Sequence, residues 1–545
     1  MLKKTLYSLI GIVFIGVVAW EYKVNILIWS IPKVTSILMP IQENIPTSWS
    51  EGPAVASEDE RPNIILILAD DMGYNDISMH NGGAADGSLK TTNIDSLAES
   101  GIFFSRGYAA NATCAPSRAS IMTGKYPTRF GYEFTPVPAT GRLIMSWLAE
   151  EDDAVLKARI DNEVARNLPP LWEQGMPTEQ ITIAEVLRDS GYYTAHIGKW
   201  HLGHANGMDP LSQGFEDSLS LVGPLYAPED DPEIVNAKFD TGIDRMIWGM
   251  GQYSARFNEG ELFAPDKYVT DYYTDEALKV IEKNKNRPFF LYFSHWAVHN
   301  PLQALRSDVE QMSHMAGHNL QVYSGMIAAL DRSVGKVVAK LKELEIHGKT
   351  LIIFTSDNGP ERTWSKRVEL YGHHSNGIYR EGKRSIYEGG HRVPFLICWP
   401  DKVKAGSRWD GPVCQTDLLA TFADMLDIKL PDNAGEDSDS FFDALTGAKE
   451  IAPRVPMVNH SSQGRFAVRE GKWKLVMEDT KKNKRELFDL SSDPKETKNI
   501  ISDHRDIESE LTGKLTDLIN RGRSTPGKPQ KNDTPNWRNL VWMIK

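Results

Sequence analysis

The stretch Asn63 to Asp71, NIILILADD, sets an uninterrupted apolar run directly before two aspartates. A strand with one face in water would alternate apolar and polar residues, so a continuous run predicts a strand buried on both faces. Residues 349–359, KTLIIFTSDNG, repeat the pattern and carry Asp357 and Asn358 after the run. Both runs therefore predict strands of one parallel sheet, with polar groups at their carboxyl ends.

The rest of the chain to about residue 431 alternates such strands with helices. Further strands are predicted in the stretches IFFSRGYA, YYTAHIGKWH, PFFLYFSHW and VPFLICWP. Apolar residues recur at helical spacing in NIDSLAESG, TIAEVLRDSG, TDEALKVIEKN and YSGMIAALDRSVGKVVAKLKEL. This alternation predicts an α/β fold whose large, mostly parallel sheet is covered by helices on both faces. Ligands of such sheets bind beyond the carboxyl ends of the strands.

The pattern changes after about residue 432. RFAVREGKWKLV and RELFDLSSDP predict short antiparallel strands, and IESELTGKLTDLINRG predicts a final helix. We therefore divide the chain into four segments. They are an N-terminal membrane anchor or signal (1–30), a linker (31–60), a catalytic domain (61–431) and a small C-terminal α+β domain with a short antiparallel sheet (432–545).

The N-terminus and the overall charge predict where the protein acts. Lys3 and Lys4 precede an almost wholly apolar run over residues 5–20, which is typical of a secretory signal or a signal anchor. We expect an uncleaved anchor that holds an exported protein at the periplasmic or extracellular face; the alternative is a buried amphipathic helix. A net charge of −12 argues against a nucleic-acid partner, which needs a basic face.

The strand-end residues predict a metal site. Asp70, Asp71, Asp357 and Asn358 would bring three carboxylates and an amide oxygen to one edge of the sheet. Such hard oxygen ligands suit Ca²⁺ or Mg²⁺, and the looser geometry of Ca²⁺ favours it over Mg²⁺. Each pair taken alone also fits a helix cap or a turn.

The chain has three cysteines, and one of them, Cys114, begins a specific sequence, CAPSRASIMTGKYPTRFG, which ends at Gly131. Here the chain resembles the type I sulfatases of the alkaline phosphatase superfamily. HIGKWHLG, WAVHNPLQ and YREGKRSIYEGGHRVP resemble further family segments in the same order, and the resemblance runs from about residue 61 to 500. Val298 and Glu381 depart from the family's usual proline and glycine.

The resemblance implies a sulfatase fold and a set of residue roles. Cys114 would be oxidised to formylglycine (3-oxoalanine) by a formylglycine-generating or an anaerobic sulfatase-maturating enzyme, and its hydrate would be the nucleophile. Asp70, Asp71, Asp357, Asn358 and residue 114 would bind the metal. The resemblance further implies that Arg118 and Lys125 hold the hydrate, His201 accepts its proton, Lys199 and Lys383 neutralise the sulfate, and His299 protonates the leaving alcohol.

His295 and two loops are candidates for contacts with the substrate. His295 stands four residues before His299 and fits either a substrate contact or a buried core histidine. The family varies between residues 203 and 268 and between 362 and 379. Aromatic and basic side chains there fit either sugar contacts or the core of the loops: Trp248, Tyr253, Arg256, Trp364, Tyr371, His373 and His374.

These features predict a sulfatase that acts on a sulfated oligosaccharide or polysaccharide, such as the algal galactan carrageenan. An arylsulfatase or N-acetylgalactosamine-4-sulfatase is the nearer alternative, and a phosphonate monoester hydrolase or phosphodiesterase of the same superfamily is a further one. An inactive, membrane-tethered glycan-binding protein is the alternative that is not an enzyme.

Overall fold

The computed structural model describes most of the chain. The described residues are 23–56, 58–137, 142, 167–239, 242–361, 369–448, 453–478, 484–533 and 540–543. The predicted anchor over residues 5–20 lies outside them. Among the helices that the structure does describe, none has both the length and the apolar character that a membrane span requires.

Sixteen strands are described. They are β1 (Asn63–Ala69), β2 (Ile102–Tyr108), β3 (Tyr193–Gly198), β4 (Asp217–Leu221), β5 (Ile234–Ala237), β6 (Ala255–Phe257), β7 (Leu262–Phe263), β8 (Phe289–Ser294), β9 (Leu302–Leu305), β10 (Thr350–Ser356), β11 (Phe395–Cys398), β12 (Ser407–Cys414), β13 (Met457–His460), β14 (Phe466–Glu470), β15 (Trp473–Val476) and β16 (Glu486–Asp489).

Ten of these strands form one sheet in the order β12-β2-β11-β10-β1-β8-β3-β4-β6-β7. Strands β10, β1, β8, β3 and β4 run parallel, while β11 and β6 run against their neighbours. The prediction of a large, mostly parallel sheet is confirmed. The antiparallel direction of β11 was not predictable, because an apolar run does not show whether a strand runs parallel or antiparallel to its neighbours.

Helices cover both faces of this sheet, and the last described helix, Arg505–Arg521, packs on the C-terminal sheet instead. Their bounds are Lys23–Leu38, Ala84–Gly87, Thr92–Glu99, Cys114–Thr123, Ile183–Asp189, Gly242–Met250, Val269–Asn284, Arg306–Gln311, His318–Glu343, Glu388–His391, Leu418–Met425, Phe442–Thr446 and Arg505–Arg521. Successive side chains of a strand point to opposite faces. In β1, Ile65 and Ile67 accordingly pack in one core and Ile64, Leu66 and Leu68 in another, which explains why the run is continuous.

The C-terminal part has its own small core. Strands β13 to β16 form a four-stranded antiparallel sheet in sequence order. The helix Arg505–Arg521 buries Leu511 and Leu515 in the same apolar cluster as Val468 and Leu475 of the sheet. The expected α+β unit with a short antiparallel sheet is present.

Residues 31–60, expected to be a linker, run along the catalytic body. Their first residues belong to the helix Lys23–Leu38, and Gln42 then forms a bridge to Phe263. The Trp49 indole is buried; it donates to Glu276 Oε2 at 2.7 Å and packs on the Phe257 ring at 4.9 Å. Trp49 therefore attaches this polar, proline-containing segment to the domain, together with Gln42 and the Ser50 N–H, which donates to Asp217 Oδ2 at 2.8 Å.

Replacing Trp49 with alanine is expected to lower the free energy of unfolding by about 3 kcal/mol or more, because a buried tryptophan leaves a large cavity. Urea unfolding measures this change. Val55→Ala is the control in the same segment, since Val55 is 78% exposed and should shift stability by less than about 0.5 kcal/mol. Equal stabilities of the two variants would mean that the segment does not stabilise the domain.

Candidate active site

Four polar residues converge where β1 and β10 end. Asp70 and Asp71 follow β1, and Asp357 and Asn358 follow β10. The two strands pair in parallel with Ala69 opposite Ser356, which brings their next residues side by side. All four polar residues are fully buried.

Cys114 opens the helix Cys114–Thr123 directly against this group. Its Sγ lies 3.6 Å from Asp70 Oδ1 and 3.7 Å from Asp71 Oδ1. Burial, together with Asp357 and Asp70, raises the pKa of the Cys114 thiol well above its ordinary value. Because the thiolate is the reactive form of cysteine, the unmodified side chain is a poor nucleophile here.

Arg118 holds the carboxylates in place from one turn further along that helix. Residues four apart lie on the same helix face, so Arg118 points to the same group as Cys114. Its Nη2 lies 2.9 Å from Asp70 Oδ2 and 2.8 Å from Asp357 Oδ2. The same guanidinium donates to the Lys199 carbonyl at 2.8 Å. Arg118 therefore ties the ends of β1, β3 and β10 together.

Two lysines complete the charged group. Lys199 follows β3, and its Nζ lies 2.6 Å from Asp70 Oδ2 and 4.4 Å from the centre of the Trp296 ring. Lys383 lies in a loop, with its Nζ 2.6 Å from Asp71 Oδ1. Both ammonium groups are nearly buried, so they are held at the site rather than solvated.

The neighbouring cations and burial together shift the pKa values of the three carboxylates. Burial alone would raise the pKa of Asp70, but Lys199 and Arg118 hold it below its ordinary value. Lys383 and His299 have the same effect on Asp71. Asp357 differs, because burial and the nearby Asp70 raise its pKa to about 6.

The donor set fits a divalent metal ion. Ligand atoms of Asp70, Asp71, Cys114 and His299 all lie within 4.8 Å of one another. Asn358 Oδ1 is buried without a hydrogen-bond partner in the described structure, which is the state expected of an oxygen that binds a cation. Three carboxylates and a free amide oxygen form a hard-ligand site.

Two histidines stand beside this group. His299 Nε2 lies 3.6 Å from Asp71 Oδ2, and burial lowers the pKa of His299 to about 4. His201 adopts a φ of 65°, and its buried Nδ1 has no partner within the described residues. Burial, followed by the charge of Lys199, lowers the pKa of His201 well below its ordinary value. Both rings are thus neutral at pH 7 in the ligand-free site.

The structure does not bring Lys125 to this group, which corrects the interpretation that it holds the hydrate. Cys114 is the first residue of the helix Cys114–Thr123, and Lys125 follows its C-cap Gly124, so the helix separates the two by about 15 Å at 1.5 Å per residue. Lys125 Nζ instead lies 2.9 Å from Glu436 Oε1 and 2.9 Å from Gln180 Oε1. Cys114 and Lys125 are close in the sequence, but the helix between them places them far apart in space.

Lys125→Ala is therefore expected to leave kcat/KM within about threefold of the parent enzyme. Lys199→Ala removes a cation from the site and should lower kcat/KM by about a hundredfold. Turnover of an aryl sulfate by the two converted variants makes the comparison. Similar losses in both would contradict the assignment of Lys125 to a structural pair.

His295 is the second correction. Strand β8 ends at Ser294, so the strand alternation that would place His295 beside His299 does not extend that far. His295 is fully buried; its Nε2 lies 3.1 Å from Ser333 Oγ and its ring lies 4.0 Å from that of Phe293. It is a core histidine, the other of its two predicted roles.

The burial of His295 should make the free energy of unfolding depend on pH. Burial lowers the pKa of His295 from 6.5 to about 3, so below pH 6.5 the unfolded state binds the proton and stability is lost as pH falls. Between pH 7 and pH 5 a His295→Gln variant should lose about 2 kcal/mol less than the parent protein. Urea unfolding at both pH values measures the difference, and equal losses would contradict it.

The candidate substrate-contact residues of the two variable loops differ in how exposed they are. Trp248 and Tyr253 are nearly buried in the large apolar core that also contains Ile65 of β1, whereas the Tyr371 and His374 side chains are exposed. Arg256 lies in β6 and is partly exposed. Trp364 lies outside the described residues.

A further network was missed by sequence reasoning. His373 Nε2 lies 2.7 Å from Asp76 Oδ1, and the Tyr323 hydroxyl donates to Asp76 Oδ2 at 2.6 Å. Asp76 lies five residues after Asp71, so the network joins the loop that carries His373 to the loop that carries the candidate metal ligands Asp70 and Asp71. The DDMGYND string contained Asp76, but no sequence signal linked it to His373.

Comparisons with known proteins agree on the family. The sulfatase family model matches residues 62–428, and the model for the C-terminal part of N-sulphoglucosamine sulphohydrolase matches residues 376–521. An N-acetylgalactosamine-6-O-sulfatase of Bacteroides thetaiotaomicron is 29% identical over 531 residues, covering 85% of this chain and 94% of its own.

Two solved structures are similar over most of the chain. Ps i-CgsB in complex with k-i-k-neocarrahexaose has a TM-score of 0.67 and 28% identity, over 89% of this chain and 98% of its own. A 6S-sulfatase from the glycosaminoglycan metabolism of Bacteroides thetaiotaomicron has a TM-score of 0.65 and 27% identity, over 84% and 99%.

Proposed function

This chain belongs to the sulfatase family, and from that premise we propose that it removes a sulfate ester from a galactose-type sugar through a formylglycine at position 114. Hydrolysis of sulfuric esters follows from the family, and similarity to carbohydrate sulfatases supports a sugar substrate. The observation that carries the proposal is the place of Cys114. It lies between Asp70 and Asp71, with Lys199 and Lys383 on those same carboxylates.

An oxygen nucleophile at position 114 would overcome the low reactivity of the thiol, whose pKa is raised by burial. Oxidation of Cys114 by a maturating enzyme would supply an aldehyde hydrate, with one hydroxyl to attack sulfur and a second to expel sulfate by elimination. Arg118 would keep Asp70 and Asp357 oriented throughout, because its guanidinium joins both carboxylates.

A divalent ion, for which we propose Ca²⁺, would polarise the sulfate oxygens and lower the pKa of the nucleophile. Asp70, Asp71, Asp357 and Asn358 would hold it together with residue 114. The free Oδ1 of Asn358 supports this set.

The lysines and histidines would handle the charges and protons of the reaction. Lys199 and Lys383 can turn their ammonium groups from the carboxylates to the sulfate oxygens, which they would neutralise. His201 is neutral and can accept a proton from the nucleophile. His299 would protonate the leaving alcohol, and the negative charge of a bound sulfate ester would raise its lowered pKa for that task.

The choice of sugar rests on the relatives. One acts on N-acetylgalactosamine 6-sulfate by its name, and another binds a neocarrahexaose, a carrageenan fragment. Both ligands contain sugars with the galactose configuration. The exposed Tyr371 ring offers a surface on which such a sugar can stack.

The test is a panel of defined sulfated oligosaccharides incubated with the converted, Ca²⁺-loaded protein. Release of sulfate from carrageenan or N-acetylgalactosamine sulfates, and not from glucosamine sulfates, is the expected result. Release from glucosamine sulfates alone would overturn the sugar assignment. Faster cleavage of an aryl phosphonate than of any sulfate would favour a phosphonate monoester hydrolase, and binding without release would favour an inactive glycan-binding protein.

We also propose that residues 5–20 anchor an exported protein in a membrane. Fractionation of cells that express the full chain tests this proposal. Activity in the membrane fraction that is accessible to added substrate supports the anchor, and activity confined to the cytosol contradicts it.

A further inference from the structure

A pocket of about 260 Å³ lies where the edge of the ten-stranded sheet meets the C-terminal sheet. Its lining comes from several separate parts of the chain, four of which supply its charged residues. Arg106 belongs to β2, Arg408 and Asp410 to β12, and Arg469 to β14, while Glu388 and Arg392 flank the short helix between Lys383 and β11.

The pocket has a buried floor and an open rim. Arg392 and Arg469 are 8% and 3% exposed, whereas the Arg408 and Asp410 side chains are 49% and 62% exposed. Four guanidinium groups face two carboxylates, which leaves an excess of two positive charges. Charges taken out of water in this way need partners of opposite sign.

Protein acceptors meet this need only in part within the described structure. Arg392 Nη1 lies 3.2 Å from Glu388 Oε2, and its Nη2 donates to the Ser105 carbonyl. Nε of Arg392 and both Nε and Nη1 of Arg469 are buried without a hydrogen-bond acceptor. Glu388 Oε2 lies 3.7 Å from Arg469 Nη1, too far for a hydrogen bond, and already accepts from the Tyr108 hydroxyl. Burial, and then the charge of Arg106, lower the pKa of Arg469 to about 9, which reflects a cation without sufficient compensation.

We propose that this pocket binds a tetrahedral oxyanion, a sulfate group, on Arg106, Arg392 and Arg469, with Arg408 at the entrance. A guanidinium fork matches two oxygens of such an anion, and a dianion would cancel the excess charge. The anion could be inorganic sulfate or a second sulfate of a polysaccharide. Tyr74 and Tyr379 also line the pocket and stand close in sequence to Asp71 and Lys383.

Anion binding at this pocket does not depend on catalysis; only the polysaccharide source rests on the proposed function. The two can therefore fail separately. Unconverted full-length protein suffices for the test, because Cys114 is not among the residues that line the pocket.

Crystals of this protein soaked in sodium selenate locate the anion by the anomalous signal of selenium. We expect a peak among the four arginines in the parent protein and in Arg188→Ala, an exposed arginine that pairs with its neighbour Asp189. The peak should be absent from the Arg106→Ala/Arg408→Ala double variant. A peak at Cys114 with none in the pocket overturns the proposal, as does a pocket peak of equal height in the double variant.

Calorimetric titration with a sulfated carrageenan hexasaccharide then distinguishes the sources. If the pocket takes a sulfate of the polysaccharide, the double variant should bind about tenfold more weakly than the parent, and Arg188→Ala should bind equally. Equal binding by all three assigns the pocket to free sulfate. Thermal unfolding and aryl sulfate turnover of the converted double variant establish that it is folded.

Discussion

Cys114→Ala protein, produced together with the maturating enzyme, is expected to lose about 10⁴-fold or more of the kcat of the converted parent on any sulfate ester, because alanine cannot become the nucleophile that attacks sulfur. Cys114 Sγ lies within 3.7 Å of both strand-end aspartates, and alanine offers no oxygen or sulfur there. Release of sulfate under saturating substrate measures the loss.

Cys398→Ala is the matched control. Cys398 is also buried, but its Sγ lies in β11, 3.9 Å from the Ser100 carbonyl and away from the carboxylates. We expect a small loss of stability and unchanged kcat. Residual activity above a thousandth of the parent in Cys114→Ala, or a comparable loss in Cys398→Ala, would contradict the role of Cys114.

Asp71→Asn is expected to reduce bound Ca²⁺ at least about tenfold and kcat/KM by about a thousandfold. The change keeps the shape of the side chain and removes a charge that Cys114, His299, Lys383 and Asn358 all face. Without this carboxylate the buried Lys383 repels a cation at the same place. Metal content by mass spectrometry and turnover of an aryl sulfate give the two readings.

Asp95→Asn serves as the control for Asp71, since Asp95 accepts hydrogen bonds from Ser78 and Thr91 in a helix outside the site. It should keep both metal and turnover. Full Ca²⁺ content in Asp71→Asn would remove Asp71 from the set of ligands, and a loss of folding seen by circular dichroism would require repeating the test with Asn358→Ala.

Much of this site could be predicted because its residues lie at strand ends. The runs before Asp70 and Asp357 predicted two strands of one parallel sheet, and the structure places them side by side in a register that brings the carboxylates together. Cys114 and Arg118 were recognisable from their string, and their spacing on a helix explains why both face Asp70.

The failures have one physical cause. Lys125 was misplaced because a sequence string does not show that a helix carries its end away from Cys114. The two roles predicted for His295 could not be separated, because the sequence did not show that β8 stops at Ser294. The pocket of Arg106, Arg392, Arg408 and Arg469 draws on segments far apart in the chain. Local patterns predict elements and their ends, whereas contacts between distant elements depend on the packing of the whole fold.

The most direct test of the mechanism combines the mass of one peptide with activity. Trypsin releases residues 107–118, and conversion of Cys114 to formylglycine lowers the mass of this peptide by about 18 Da. Preparations made with increasing amounts of a maturating enzyme should show sulfate release from a sulfated galactan oligosaccharide in proportion to the converted fraction, with none at zero conversion. Equal activity in unconverted protein, or fully converted and Ca²⁺-loaded protein that leaves every sulfate ester intact, would contradict the mechanism.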